Sequence, residues 1–468
     1  MDEGAREWSQ VQAGWADFGD ARRGARFGRM LHRIAEHPAG RVTQVFDKGP
    51  ERDCAYDWLE GSVQPSAIVE ALRQGTLGVA SGAERFFVAI DGTSLSLVDR
   101  RKAKGLGSVG PRKLPTRGIQ CVTSLALSEE GVPLGLMGLR AWARGPRSKA
   151  QRFVRRREGS TEMQHYRLAI EEVCTAAKAG GKRPWIIIDR GADCGLLLEE
   201  AAAHDADFTI RVAQLKRNCI VGGRTVPLLD AVKKMPRSGH HFVDVPPTDK
   251  RAGRVARLDL RFGKVCLKMP GSTQKRPRQM SLTVVWVREP HPPAGEQPLD
   301  WMLFTNRVVE DHAGAVDVLG SYCFRWRIED FHRTWKRGRC RVEDTQLRGF
   351  LPIVRWAVML AAVAARIERL KHLSRTAPDT PATELLSPTE IDVLRAAKRQ
   401  NKRRSEIVGD GVPTAQVAVR WIAELGGFAG NARTDPGAVT IGRGLQKLLI
   451  LVAGYELAIR HMEKRPPK

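Results

Sequence analysis

The spacing of apolar residues changes twice along the chain. Up to about residue 75 it is helical, as in FGDARRGARFGRMLHRIAEHP, where Asp20 can cap a helix and Pro38 lies just beyond its end. From about residue 80, short apolar runs at 86–90 (FFVAI), 119–127 and 185–188 (WIII) predict strands, and 161–177 has helical spacing. Strands followed by a helix and a further strand predict a mixed α/β sheet.

The second half of the chain changes pattern again. Residues about 205 to 300 place Gly, Pro and basic residues around short apolar runs at 258–262 and 282–287, which predicts a β-rich insertion. After Phe350 comes a long apolar helix to about Leu370, then a loop rich in Thr and Pro, and the rest is helical. A chain of 468 residues is long enough for about three domains. We place them at 1–75, 76–372 and 373–468.

One run, YCFRWRIEDFHRTWK, carries four polar residues at the spacing Y-x2-R-x3-E-x6-K: Tyr322, Arg325, Glu329 and Lys336. On one continuous helix they would fall within an arc of about 60°. The opposite face would hold the apolar residues Phe324, Ile328, Phe331 and Trp335. By itself, this pattern favours an amphipathic helix with solvated charges over a binding face.

Two aspartates follow predicted strands. Asp91 comes directly after FFVAI and Asp189 directly after WIII. We expect both carboxylates at strand ends, where mixed sheets bind ligands, although an aspartate there is also a common turn former. Carboxylate ligands in a site shared with phosphate favour Mg²⁺ or Mn²⁺, and two ions can serve the attacking and leaving oxygens.

The charge of the chain indicates its partner. Lys and Arg number 77 against 52 acids, giving a net charge of +25, so we expect nucleic acid to bind. The apolar runs, such as 356–365, are shorter than the roughly 18 residues that span a bilayer, and the start MDEGAREW lacks a signal-peptide core. We therefore expect a cytoplasmic protein with no membrane partner. The eight cysteines contain no C-x2-C pair and are expected to be free thiols.

The spacing of the four polar residues, with the words RWRIE and FH-x2-WK, resembles the bacterial DDE cut-and-paste transposases of the insertion-sequence-four family, and among them the Tn5 branch. DGTSLSL after Asp91 and DRGAD from Asp189 also resemble the family, although Gly191 stands where Glu is common. The resemblance implies a ribonuclease-H-like core with the β-rich insertion. It also implies helical domains on both sides, the first for binding DNA ends and the last for dimerisation.

The resemblance also implies roles for residues. Asp91, Asp189 and Glu329 would be the catalytic carboxylates that hold two Mg²⁺ or Mn²⁺ ions. The other implied contacts are with DNA: phosphates for Tyr322, Arg325, Lys336, Arg333 (where lysine is usual) and Arg211, a flipped base for Trp301, and the element end for Arg22, Arg23 and Arg26. His332, one helical turn after Glu329, is expected to hydrogen-bond rather than to bind metal.

The resulting hypothesis is a transposase, associated with the nucleoid, that pairs two ends of its mobile element as a homodimer in a synaptic complex. The resemblance implies nicking, hairpin formation by the 3′-hydroxyl, hairpin opening and joining to target DNA. Two alternatives remain: a metal-dependent nuclease of the same fold that does not join DNA, and a DNA-binding relative without catalysis. Attack by Tyr322 on phosphate, as in tyrosine recombinases, is a less favoured mechanism.

Overall fold

The computed structural model describes residues 3–47, 49–83, 85–110, 116–145, 161–245, 253–269, 278–401, 406–429 and 435–463. The chain forms two compact units. The first comprises Met1–Ala83, Gly92–Gly145 and Arg327–Lys468, and the second comprises Glu84–Asp91 and Pro146–Trp326. The chain thus passes between the units within the segments that carry Asp91 and Glu329.

The described helices are, in chain order, α1 (Glu3–Gly14), α2 (Ala21–Glu36), α3 (Val42–Val45), α4 (Gly49–Glu60), α5 (Pro65–Val79), α6 (Thr161–Ala179), α7 (Gly195–Ala203), α8 (Leu228–Lys233), α9 (His312–Cys323), α10 (Trp326–Lys336), α11 (Phe350–Thr376), α12 (Pro388–Asn401), α13 (Ala415–Leu425) and α14 (Ala438–Glu463). The described strands are β1 (Phe86–Ser96), β2 (Gly107–Val109), β3 (Thr116–Leu127), β4 (Pro133–Trp142), β5 (Pro184–Ile188), β6 (Asp207–Arg211), β7 (Asn218–Val221), β8 (Arg224–Pro227), β9 (Arg237–Val245), β10 (Arg254–Met269), β11 (Arg278–Arg288) and β12 (Asp300–Thr305).

The first unit begins with the predicted short helices. Asp20 caps α2 as expected, because its side chain accepts a hydrogen bond of 2.8 Å from the backbone N–H of Arg22. The apolar side of α2 packs through Phe27, whose ring lies 5.4 Å from Phe18 and 6.1 Å from Trp58 between ring centroids. Aromatic burial of this kind holds the N-terminal helices together.

The predicted apolar helix is α11, which runs through the core of the first unit. Arg355 is buried and donates to the backbone carbonyls of Leu59 and Val63, and Trp356 Nε1 donates to Gly40 O at 2.8 Å. Among the described helices, α11 alone is long and apolar enough to cross a membrane, and 78% of its most apolar stretch of 18 residues is buried inside the protein. A buried core helix meets the same test of length and composition.

Strands of the first unit flank this core. β3 pairs antiparallel with β2 and with β4, and Leu97, just beyond β1, donates to the carbonyl of Arg117 at 2.9 Å. β3 is buried along most of its length, which explains why its sequence alternates only weakly. Toward the C-terminus, α12, α13 and α14 share a separate apolar cluster that includes Leu394, Ile422 and Leu448.

The second unit is built on a mixed sheet. β1 pairs in parallel with β5, and β5 in parallel with β6. The sheet continues through β12, β11 and β10 in antiparallel pairing, and β10 also pairs with β9 and β7. The predicted β-rich segment at about 205–300 thus consists mainly of strands, β6 to β11.

Two local expectations were wrong. Asp91 does not lie at a strand end, because β1 continues through it to Ser96. The signature run is not one helix, since α9 ends at Cys323 and α10 begins at Trp326. Between them, Phe324 N bonds to Ser321 O at 3.2 Å and Arg325 N to Tyr322 O at 3.0 Å. These i to i+3 bonds tighten the turn and change the rotation per residue.

Candidate active site

The two aspartates follow neighbouring positions of a parallel strand pair in the second unit. The register of β1 and β5 ends with Ile90 opposite Ile188, and Asp91 and Asp189 are the next residues. β5 stops there, and Asp189 caps a short 3₁₀ turn by accepting a 2.7 Å hydrogen bond from Gly191 N. Buried apolar strands thus hold two half-buried carboxylates at one end of the pair. Such rigidly held hard oxygen ligands suit a divalent cation bound next to phosphate.

Arg325 and Tyr166 approach Asp91. Arg325 Nη1 lies 3.9 Å from Asp91 Oδ2, and the Tyr166 hydroxyl donates to Asp91 Oδ1 at 3.4 Å. The Arg325 side chain is only 8% exposed, and its guanidinium carbon lies 5.0 Å from the ring centroid of Trp326. Arg325 and Asp91 thus form a long ion pair in a largely buried setting.

Tyr322 is buried, which the helical wheel did not predict. Its ring packs edge-on against Trp301 at 5.5 Å between centroids, and Arg211 donates a hydrogen bond to its hydroxyl. Burial raises the pKa of the Tyr322 phenol, although the charges of Arg325 and Arg211 partly oppose this shift. The phenol is therefore neutral near pH 7. Trp301 is only 6% exposed, on β12.

Glu329 lies in the first turn of α10 and is half-buried, in the first unit. On the same helix, Lys336 donates to Thr93 Oγ1 at 3.2 Å, whereas Arg333 is exposed and pairs with Asp330 at 3.0 Å. His332 Nε2 lies 2.7 Å from Thr123 Oγ1, as expected for a hydrogen-bonding histidine. The apolar face is confirmed for Ile328, Phe331 and Trp335, which are buried, while Phe324 is half-buried in the preceding turn.

A second group of potential metal ligands lies on the other side of α10. Asp330, Glu368 and His372 bring their ligand atoms within 4.8 Å of one another. A cation is already present there, because Lys371 Nζ lies 2.8 Å from Asp330 Oδ2 and forms a shorter ion pair with Glu368. The ammonium neutralises the acids, so this cluster is not suited to hold the catalytic ions.

Two residues near the aspartates were not predicted from the sequence. Tyr166 reaches Asp91 from α6, and no local pattern links residues 75 positions apart. Asp193, the last residue of DRGAD, is fully buried, and its carboxylate accepts 2.8 Å bonds from Ala213 N and Gln214 N and pairs with Arg217 at 2.6 Å. The aspartate that ends the compact motif DRGAD could have suggested an anchoring role.

The proposed DNA-end residues lie on α2. Arg22 and Arg23 are exposed and Arg26 is half-buried, and Arg22 forms a 3.0 Å ion pair with Asp20. Arg23 donates to the carbonyl of Phe18 at 3.2 Å. The eight cysteines, all within the described residues, are free, as predicted, and burial raises the pKa of Cys121 and that of Cys174 to about 12. These thiols are therefore unreactive near neutral pH.

Three family models match this chain in succession. Residues 5–62 match a transposase DNA-binding model, residues 161–365 match the transposase DDE domain, and residues 362–464 match the Tn5 transposase dimerisation domain. The fold class is confirmed: a mixed α/β protein with a ribonuclease-H-like DDE domain and helical regions at both ends. The matches also support DNA binding, homodimerisation and metal-dependent catalysis of DNA cleavage. The chain belongs to the bacterial DDE transposases of the insertion-sequence-four family that resemble the Tn5 transposase.

Proposed function

We propose that this transposase binds the terminal repeats of its mobile element, excises the element through a DNA hairpin intermediate and joins its 3′ ends to target DNA. The observation that carries the proposal is the pair of carboxylates, Asp91 and Asp189, that follow matched positions of β1 and β5. Arg325 and a neutral Tyr322 lie beside them and supply a cation and a hydroxyl donor for DNA phosphate.

Asp91, Asp189 and Glu329 are the proposed ligands of two Mg²⁺ or Mn²⁺ ions. When bound, such ions polarise the phosphate and stabilise the attacking and leaving oxygens. The contact between Lys336 and Thr93 supports Glu329 as the third ligand. Lys336 lies on α10 with Glu329, and Thr93 lies two residues further along β1 than Asp91. The side chains of Arg325, Lys336, Arg333 and Arg211 then orient and neutralise the DNA backbone.

The hairpin step is assigned to Trp301. A flipped base would recover roughly 1–3 kcal/mol by stacking on an indole ring, which offsets much of the cost of unstacking. Because Trp301 is 6% exposed and its ring contacts Tyr322, DNA binding must uncover the ring face. Replacing Trp301 with alanine is therefore the direct test of the hairpin step.

We infer that Arg22, Arg23 and Arg26 contact the element end, and that 1–75, 76–372 and 373–468 act as end-binding, catalytic and dimerisation domains. Two paired ends require two protomers, so the homodimer is the synaptic form. Its DNA substrate implies a cytoplasmic, nucleoid-associated protein.

The test is incubation of the protein with Mg²⁺ and inverted-repeat DNA from either side of its gene, followed by denaturing gels. The parent should give nicked, hairpin and joined products. Asp189→Asn should bind the DNA but not cleave it, whereas Asp205→Asn, an exposed aspartate of the same unit, should cleave like the parent. Cleavage by Asp189→Asn at the parental rate would refute the metal site. If the parent cleaves the DNA but gives neither hairpin nor joined products, the protein is a metal-dependent nuclease that does not join DNA.

A further inference from the structure

Buried charges between α10 and α11 form a network that has no part in the proposed chemistry. Glu368 is 1% exposed and Lys371 is 6% exposed, both on α11, and they face Asp330 of α10. Lys371 Nζ bridges the two carboxylates, at 2.8 Å from Asp330 and closer to Glu368. His372 Nε2 lies 3.4 Å from an oxygen of each acid. Burying such a set of charges is costly unless each one has partners.

The network acts on the orientation of α10. Asp330 is the residue after Glu329, and Thr334, one turn further, donates to Glu368. Trp335 Nε1 donates to Ala357 O at 3.0 Å, a further bond from α10 to α11. Without the ammonium the two carboxylates repel each other, which favours separation of α10 from α11, rotation of α10, or uptake of a proton or another cation between the acids.

We propose that Lys371 is a positioning residue for Glu329: its ammonium serves as a built-in cation that joins Asp330 to Glu368 and fixes the rotation of α10. The proposal rests on the proposed role of Glu329 as a metal ligand. The same ammonium fills the space between Asp330, Glu368 and His372 and keeps divalent ions out of that cluster.

Lys398 provides a matched control. It is also buried, and its Nζ bridges two carboxylates, at 2.6 Å from Glu424 of α13 and 2.8 Å from Glu406, which lies between α12 and α13. None of these elements carries a proposed metal ligand. Lys371→Met and Lys398→Met therefore each remove a buried ammonium that bridges two carboxylates, and the partners of Lys398 are more exposed than Glu368. Loss of folded protein alone lowers the maximum cleavage rate, whereas a displaced ligand also raises the Mg²⁺ concentration that gives half of that rate.

The experiment measures cleavage of end DNA as Mg²⁺ is varied, for the parent and both variants. Lys371→Met should raise the half-saturating Mg²⁺ concentration roughly 10- to 100-fold, the scale typical of removing a group that orients a metal ligand. Lys398→Met should leave it within about twofold. If Lys371→Met does not fold, Thr334→Val tests the same link by removing only the hydroxyl bond to Glu368, with an expected rise of about threefold.

The positioning role would be overturned if the half-saturating Mg²⁺ concentration were the same for the parent, Lys371→Met and Thr334→Val. Hydrogen exchange supplies a readout without DNA or metal, since Lys371→Met should speed exchange of α10 amides and Lys398→Met should not. A separate arm distinguishes failure of the proposed function: if Glu329→Gln cleaves like the parent, Glu329 is not a ligand, whatever Lys371 does.

Discussion

Replacing Asp193 with alanine should loosen the loop that follows β6. The carboxylate is completely buried and anchors this loop by three contacts, with Ala213 N, Gln214 N and Arg217. The loop follows directly after Arg211, and Asp193 itself lies four residues after Asp189. Asp193 thus joins the segments that carry two proposed site residues of the second unit.

The expected loss of local stability follows from the groups that lose their partner in Asp193→Ala. Two backbone N–H donors lose their acceptor, at about 0.5–1.5 kcal/mol each because Ala213 and Gln214 are exposed and water can replace the carboxylate, and the largely buried Arg217 loses its counter-ion, for which about 3–5 kcal/mol is typical. These costs do not add fully, because Arg217 keeps its 3.3 Å bond to the Asp193 carbonyl and its guanidinium stays 5.7 Å from the Phe304 ring centroid. We expect a local loss of about 3–5 kcal/mol.

Hydrogen exchange of the Val212 amide measures this loss. That N–H bonds to Met302 O at 2.7 Å, so it reports opening of the end of β6 without being an Asp193 ligand itself. A loss of about 3–5 kcal/mol corresponds to exchange faster by roughly two to four orders of magnitude. Asp205→Ala, which removes an exposed carboxylate, should leave the amide unchanged. An Asp193→Ala rate within about threefold of the parent would refute the anchoring argument.

Two further predictions concern the first unit. Burial opposes ionisation of Glu368, but the pKa of its carboxyl is held below its ordinary 4.5 by contacts with His372 and Lys371. Its contribution to stability is therefore complete above pH 4.5 and declines as the pH falls further, so the difference in melting temperature between the parent and Glu368→Gln should shrink below about pH 4.5. Gly444→Ala should destabilise the α13–α14 contact by about 3 kcal/mol, because a Cβ there would lie 1.7 Å from the carbonyl oxygen of Ile422. Gly454→Ala on the same helix meets nothing within 4 Å and should be neutral or stabilising in the same thermal melts.

The strand cores were predictable because they are continuous apolar runs, as at Phe86–Ile90 and 185–188. The end of β1 was not, since Asp91 to Ser96 is polar enough to look like a turn although it continues the strand. The break at Phe324 was also hidden, because neither it nor Arg325 is a glycine or proline and Phe324 keeps right-handed helical dihedrals. A wheel drawn at a fixed rotation cannot detect one tightened turn.

The site residues illustrate a different limit. The resemblance assigned Tyr322, Arg325 and Trp301 by motif, and their roles stay predictions. The burial of Tyr322 depends on contacts with Trp301 and Arg211, which lie on distant strands. Lys371 has no motif at all. Its importance follows from three charges that meet only after α10 packs on α11.

The way the N-terminal helices attach to α11 has a consequence for evolution. Arg355 donates to the backbone carbonyls of Leu59 and Val63, and Trp356 donates to that of Gly40 besides its ring contact with Phe46. A carbonyl is present whatever residue occupies the position, so these polar contacts do not constrain which side chains stand there. α2, which bears the proposed end-binding residues Arg22, Arg23 and Arg26, does not supply any of these three carbonyls, so its exposed positions can change without breaking these bonds. Designed transposases with exchanged end specificity should preserve Arg355 and Trp356 first.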